Sequence, residues 1–252
     1  MKLARLPEGE PEIFFTVQGE GRNVGLPTVF VRTSLCNLHC RWCDTDYTWN
    51  WEGTPFAHDR DSDPDYAKYR REELILDLPV AEVAEKAAAY GCPNFVFTGG
   101  EPLLHEDDWI GLMKILRSKL GEKTHFEIET NGTRKPGAEF LELIDQLNIS
   151  PKLSNSGVAA SLRTRESVLQ FLAATGKADF KFVVETETDL EEVRELVELS
   201  GIPADHVFLM PKGTSTTELD ERATWLVEQC QAHGFRFSDR LHVRLFGSRR
   251  GV

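Results

Sequence analysis

The chain has 252 residues, 40% of them hydrophobic and 28% charged, which suits one soluble globular domain with a sizeable core. Its 29 basic and 41 acidic residues leave a net charge of -12, so the surface as a whole repels nucleic-acid phosphates and anionic lipid, and no nucleic-acid or membrane partner is expected. No apolar run reaches the ~20 residues that span a bilayer, and Met1 to Glu8 has no apolar signal core, so a cytoplasmic protein is expected.

In chain order, Thr28 to Thr33 reads as a strand running straight into a loop with three cysteines. Val80 to Tyr90 has helical periodicity, with Gly91 placed to cap it. Asn94 to Thr98 is a strand ending at Gly99-Gly100. Asp107 to Leu120 is helical, and His125 to Thr130 is a strand ending in the turn Asn131-Gly132. Further along, Phe140 to Leu147, Arg165 to Ala174, Leu190 to Leu199 and Thr217 to His233 read as helices. Ile149 to Leu153, Ala178 to Val184, His206 to Met210 and Arg240 to Leu245 read as the strands between and after them.

Repeated strand-then-helix units predict a mostly parallel sheet in an α/β fold, with about six βα units forming an open or partial barrel over residues 1–252. In such folds chemistry collects at the carboxyl ends of the strands, and the cysteine loop, both glycine turns and Met210-Pro211 all fall there. One stretch breaks the alternation. Trp49 to Glu73, within an insertion of about 49–78, mixes glycine, proline, charge and aromatics, and is expected to be a solvated loop or a lid. A C-terminal tail, about 240–252, carries Arg244, Arg249 and Arg250.

The loop is Cys36-Asn37-Leu38-His39-Cys40-Arg41-Trp42-Cys43, a C-x3-C-x2-C spacing with no fourth cysteine nearby. Three thiolates can hold three irons of a [4Fe-4S] cluster and leave the fourth iron open to an outside ligand. Thiolates also suit zinc, which usually wants two cysteine pairs or a Cys/His set; His39 is in place to serve but reads better as a spacer. Five cysteines, three of them clustered, do not make a disulfide framework, and Cys92 and Cys230 read as small buried apolar groups.

The trio, with the aromatic Trp42 before its last cysteine and with Thr98-Gly99-Gly100-Glu101-Pro102 at a strand end, resembles the radical S-adenosylmethionine superfamily. Phe15 to Gly21, with its Thr-x-Gln-Gly-Glu-Gly run, Arg32, Cys43-Asp44-Thr45, Glu129 to Gly132, Ser150-Pro151-Lys152 and the end of the chain from Leu241 resemble the 7-carboxy-7-deazaguanine synthase (QueE) family.

That resemblance implies a lyase. It would use a 5'-deoxyadenosyl radical to take hydrogen from C6 of 6-carboxy-5,6,7,8-tetrahydropterin, contract the ring and release ammonia, in the biosynthesis of queuosine and related 7-deazapurines. It implies a [4Fe-4S] cluster on Cys36, Cys40 and Cys43, S-adenosylmethionine as a regenerated cofactor, and magnesium on Thr45. Val17, Gln18, Gly19, Glu20, Arg32, Thr98, His242 and Val252 are implied at the substrate. Trp42, Cys43, Asp44, Gly100, Glu129, Ser150, Pro151, Lys152, Met210, Pro211, Lys212 and Gly213 are implied at S-adenosylmethionine. The chemistry of these side chains agrees: Gln18 and Glu20 offer what a pterin edge needs, and Arg32 can meet a carboxylate through parallel hydrogen bonds. Family members often carry Gln-Pro where this chain has Met210-Pro211, so contacts there are expected through backbone. A homodimer and a flavodoxin- or ferredoxin-type reductant are also implied. Two other readings of the cysteine trio are an activase for a glycyl-radical enzyme and a zinc-stabilised interaction protein.

Overall fold

The computed structural model describes residues 1–252. Ten strands form one sheet: β1 (Lys2–Ala4), β2 (Ile13–Val17), β3 (Pro27–Thr33), β4 (Ile75–Asp77), β5 (Asn94–Gly99), β6 (His125–Thr130), β7 (Gln146–Ile149), β8 (Ala178–Val184), β9 (Val207–Pro211) and β10 (Arg236–Phe237). Their order is β10-β9-β8-β7-β6-β5-β3-β1-β4, with β2 antiparallel along the free side of β3. From β3 through β10 every pairing is parallel. The helices are α1 (Arg71–Leu74), α2 (Val80–Ala88), α3 (Glu106–Leu120), α4 (Ala138–Leu143), α5 (Ala160–Arg163), α6 (Glu166–Ala173), α7 (Glu187–Ser200), α8 (Thr216–His233) and α9 (Leu241–Phe246).

The two-residue period of a strand sorts its side chains onto opposite faces. Val29 and Val31, Phe95 and Phe97, Phe126 and Ile128, Leu147 and Ile149, and Phe180 and Phe182 all join one core with the inward faces of α2, α3, α4, α6, α7 and α8. Trp109 of α3 is fully buried there, stacked on Phe97 at 4.5 Å, and its indole N–H donates to Pro102 O at 2.8 Å. A side chain of this kind stabilises the fold by roughly 1.5–3 kcal/mol through burial.

The opposite face carries Arg32, Glu127, Glu129, Asn148, Asp179 and Lys181 instead. Helices α2, α3, α4, α6, α7 and α8 thus cover one face, and the short α9 reaches the other. β10 and β4 do not pair, so the sheet stays open, as a partial barrel with a polar concave side.

Two sequence expectations differ from this fold. Arg240 to Leu245 is not a strand: Leu241–Phe246 is helix α9, whose Val243 is buried while Leu245 is exposed. The helix read through Leu147 stops at Leu143, where Ile144 is already extended, and the strand expected at Ile149 runs from Gln146.

The insertion is mostly exposed, as a solvated loop is, yet it is anchored at several points. Trp49 and His58 are buried, and Lys68 donates to Thr54 O and Phe56 O at 2.6 and 2.7 Å. Enough aromatic and hydrogen-bonding groups lie in the stretch to pack it onto the cysteine loop.

Candidate active site

β3 delivers the chain to the rim at Thr33, and Leu35 then turns it outward with φ +75°, the one non-glycine residue in the left-handed region. That conformation costs roughly 1–2 kcal/mol and needs support. Leu35 N donates to Thr48 O and Leu35 O accepts from Glu101 N, both at 2.9 Å. Glu101 is itself fully buried and accepts from Leu103 N at 2.9 Å, Thr130 Oγ1 at 2.7 Å and Asn131 N at 2.8 Å. The glycine turn after β5 is thereby fixed to the end of β6. Asn131 Nδ2 donates to Asn37 Oδ1, and Asn37 Nδ2 to Thr133 Oγ1, which ties the cysteine loop to the same place.

Cys36, Cys40 and Cys43 are all free thiols. Burial pushes all three up, Cys40 to about 12, and Cys36 is pushed further by Glu101 and by the other two sulfurs. Three thiols that repel one another once ionised suit a cationic iron cluster, whose charge would reverse the penalty. Gly100 completes the cradle. A Cβ there would overlap Leu35 O and lie 2.8 Å from Cys36 Cβ. Thr45 Oγ1 stands 3.5 Å from Cys43 Sγ, so the proposed cation ligand is next to the cluster ligands.

Trp42 donates to Asn155 Oδ1 at 3.2 Å, and the Lys152 ammonium lies 5.6 Å from the Trp42 ring while donating to Ser150 Oγ at 2.9 Å. The loop after β7 therefore meets the cysteine loop, with Pro151 buried between its neighbours. Met210 and Pro211 are buried at the end of β9, and Gly213 O accepts from Arg240 at 2.7 Å. Lys212 is turned to Glu185 at 2.9 Å.

The polar face of the sheet lies beneath. Gln18 is buried; its Nε2 donates to Glu127 and Glu129 at 3.3 Å each, and its Oε1 accepts from Gly19 N at 2.8 Å. The Gln18 amide thus holds the 18–25 turn against β6. Asn148 donates to the same two carboxylates at 2.9 and 3.1 Å. Glu20 is paired with Lys181 and with Arg240, and Arg240 also pairs with Asp44. Burial pushes Glu20 up, but Lys181 and Arg240 outweigh it and hold the carboxyl at about 2. Glu129, facing Lys181 at 3.0 Å, is pushed up by its burial.

Arg32 meets Glu12 through Nε alone, at 2.9 Å, and Glu12 also accepts from Tyr47 at 3.0 Å and from Arg250 at 2.7 Å. The end of the Arg32 guanidinium makes no hydrogen bond within the chain and is available to an anion. Thr98 is buried one strand away, paired with Arg32 across β3 and β5. His242 packs over Gly19, where a Cβ would come within 2.5 Å of its Nδ1, and its buried Nε2 has no partner. Val17 ends β2, and Val252 is half-buried at the end of a tail that Arg250 anchors to Arg5 O.

The structure brings the cysteine loop, Gly100 and the Ser150–Lys152 loop together at the rim, sets Gln18, Glu20, Arg32 and Glu129 on the polar face beneath, and adds Lys181, Arg240, Asn148 and Glu127. Their signal was present in part: Asp179 and Lys181 alternate with Ala178, Phe180 and Phe182 in an otherwise apolar strand.

Comparison with known proteins agrees with this geometry. The profile of the radical SAM superfamily matches residues 30–199. A 7-carboxy-7-deazaguanine synthase from Pyrobaculum aerophilum is 35% identical over 241 residues, covering 95% of each chain. One from Rhodopirellula baltica is 34% identical over 254 residues, covering 96% of this chain and 87% of its own. The crystal structure of QueE from Escherichia coli shares the fold, with a TM-score of 0.64 at 24% identity over 96% of this chain and 95% of that one.

Proposed function

Because the chain belongs to the radical SAM superfamily and, within it, to the 7-carboxy-7-deazaguanine synthases, we propose that it converts 6-carboxy-5,6,7,8-tetrahydropterin to 7-carboxy-7-deazaguanine and ammonia. The observation that carries the reading is the placement of three free thiols and the Gly100 cradle at the rim above a polar face that carries Arg32 and the Gln18–Glu20 turn.

When bound, the cluster and S-adenosylmethionine would supply the radical chemistry needed to remove hydrogen from substrate C6. Cys36, Cys40 and Cys43 hold the cluster. Gly100, Trp42, Asp44, Glu129, the Ser150–Lys152 turn and the Met210–Gly213 turn form the S-adenosylmethionine side. In the latter turn Met210 and Pro211 contribute backbone, and Lys212, already paired with Glu185, contributes shape rather than charge.

At the substrate side, Arg32 offers its free guanidinium end to the pterin carboxylate. Glu20, kept ionised by Lys181 and Arg240, accepts from the N–H edge of the ring; Val17, Gly19 and Thr98 supply the walls, and Gln18 fixes the turn. His242, with an unpaired buried Nε2, and the Val252 carboxylate close the pocket from the tail. Thr45 offers a hydroxyl to magnesium, which would polarise substrate oxygens as a hard Lewis acid.

The enzyme is proposed to act as a cytoplasmic homodimer that draws electrons from a flavodoxin- or ferredoxin-type protein, as the family resemblance implies. No helix is long and apolar enough to cross a membrane. Anaerobic protein reconstituted with iron and sulfide, given magnesium, S-adenosylmethionine and a reductant, is expected to form 7-carboxy-7-deazaguanine from carboxytetrahydropterin. A reduced, loaded protein that forms none refutes the proposal.

A further inference from the structure

The segment 46–69 lies outside the chemistry described so far, yet it touches the cysteine loop at every turn. His39, between Cys36 and Cys40, is stacked on Phe56 at 3.5 Å and met edge-on by Trp49 at 5.1 Å. Asp59 N donates to Arg41 O at 2.6 Å, while Arg41 N donates to Ser156 O at 2.9 Å, so both backbone groups of Arg41 are held. The His58 ring lies 2.9 Å from Cys43 O through Nε2.

A carbonyl only accepts, so Nε2 carries the proton. Nδ1 is then the acceptor for Arg60 N at 3.3 Å, which fits the same tautomer. Behind His58 stands Asp46, buried and accepting from Tyr66 at 2.5 Å and Tyr69 at 3.3 Å, with Tyr66 also accepting from Asn50 at 2.7 Å. Residues 36–45 contain no regular secondary structure of their own. Such a stretch opens locally unless something outside it supplies its bonds.

We infer that segment 46–69 is a clamp that holds the Cys40–Cys43 turn in its ligating shape before any cluster is present, and that His58 is the positioning residue that fastens it to Cys43. The clamp rests on the assignment of the three thiols to a cluster, but its action is a property of the metal-free chain. It gives the insertion a role: the inserted residues pre-order the cluster ligands, which lowers the ordering that cluster assembly would otherwise have to supply.

Two variants separate the tether from the rest of the segment. His58 also begins the short helical turn Asp59–Ser62, where its own N–H donates to Asp61 at 2.8 Å. His58→Asn keeps a good cap but is too short to reach Cys43 O. His58→Gln keeps an N–H donor at nearly the reach of Nε2.

The readouts are amide hydrogen exchange over residues 41–45 in the metal-free protein, and the rate at which a chelator bleaches the visible iron–sulfur band of the reconstituted protein. Loss of one such bond is expected to speed both roughly five- to tenfold in His58→Ala and His58→Asn, with His58→Gln close to wild type and the exchange of β5 to β8 unchanged. Tyr66→Phe, which removes a donor from Asp46, should loosen the same residues. Wild-type exchange in His58→Ala, or rescue by Asn as good as by Gln, overturns the clamp. A wild-type protein that takes up no iron instead overturns the cluster assignment, and the exchange experiment on metal-free protein tells the two failures apart.

Discussion

Replacing Lys181 by methionine tests the electrostatics of the polar face most directly. The ammonium is 6% exposed and is the cation shared by Glu20 and Glu129, which are about one-fifth exposed. Glu20 sits at about 2 against an ordinary 4.5, a native-state preference for the ionised form of about 3 kcal/mol that Lys181 and Arg240 supply together. Removing one member of a buried pair costs about 3–5 kcal/mol by an independent route. A loss of about 3 kcal/mol at pH 7 is therefore expected for Lys181→Met.

The pH dependence supplies the sign. In the wild type the lowered Glu20 contributes fully above pH 4.5, and that contribution is lost as pH falls toward 2. Glu129, already pushed up by burial, is left in the variant with no ion-pair partner, so its pKa rises further and it takes up a proton more readily as pH falls. Protonation relieves the variant more than the wild type, whose Glu129 still faces Lys181. The gap between the two, measured by urea unfolding at pH 7, 6, 5 and 4.5, should narrow steadily. A gap below 1 kcal/mol at pH 7, or one that is flat across the range, refutes the reasoning.

Three further outcomes are expected at the rim. Cys36→Ala, Cys40→Ala or Cys43→Ala should each abolish both iron loading and product formation, as measured by iron content and product assay. Thr45→Ala should keep cluster and S-adenosylmethionine binding but raise the magnesium concentration needed for half-maximal rate; a wild-type magnesium curve removes Thr45 from the cation site. Gly100→Ala puts a Cβ 2.8 Å from Cys36 Cβ and against Leu35 O, both on rigid backbone, so it should displace the cysteine loop and cut iron loading, with the melting temperature showing whether the fold survives.

The sequence made the parallel core legible because β3, β5, β6 and β8 alternate over six or seven residues and end in recognisable turns. It concealed β1 and β2, which are short and held by long-range pairing to β3. It misled at Arg240 to Leu245, where alternating Leu, Val and Leu suggest a strand. There Val243 alone is buried and the tail has no strand to pair with, so the local backbone bonds of a six-residue helix win. The proposed cluster ligands stand out in sequence because a metal site needs a fixed set of donors at short spacing. Lys181 and Arg240 do not, since their partners Glu20, Glu129 and Asp44 lie far away in sequence.

Arg240 shows what that separation means for the site. One guanidinium meets Glu20 of the substrate turn, Asp44 beside the last cluster ligand, and Gly213 O after β9. Leu241 N, the next backbone donor, bonds Gly19 O at 3.0 Å, and His242 then covers Gly19. Three consecutive residues at the start of the tail thus join the proposed substrate side, the proposed cluster side and the turn after β9. None of the three joints is local, so the pocket is complete only after the whole sheet has formed and α9 has docked. The tail is for that reason part of the catalytic unit: substrate turn and cofactor loop acquire a common frame through it, and a displacement at either one is transmitted to the other through a single planar, doubly paired side chain.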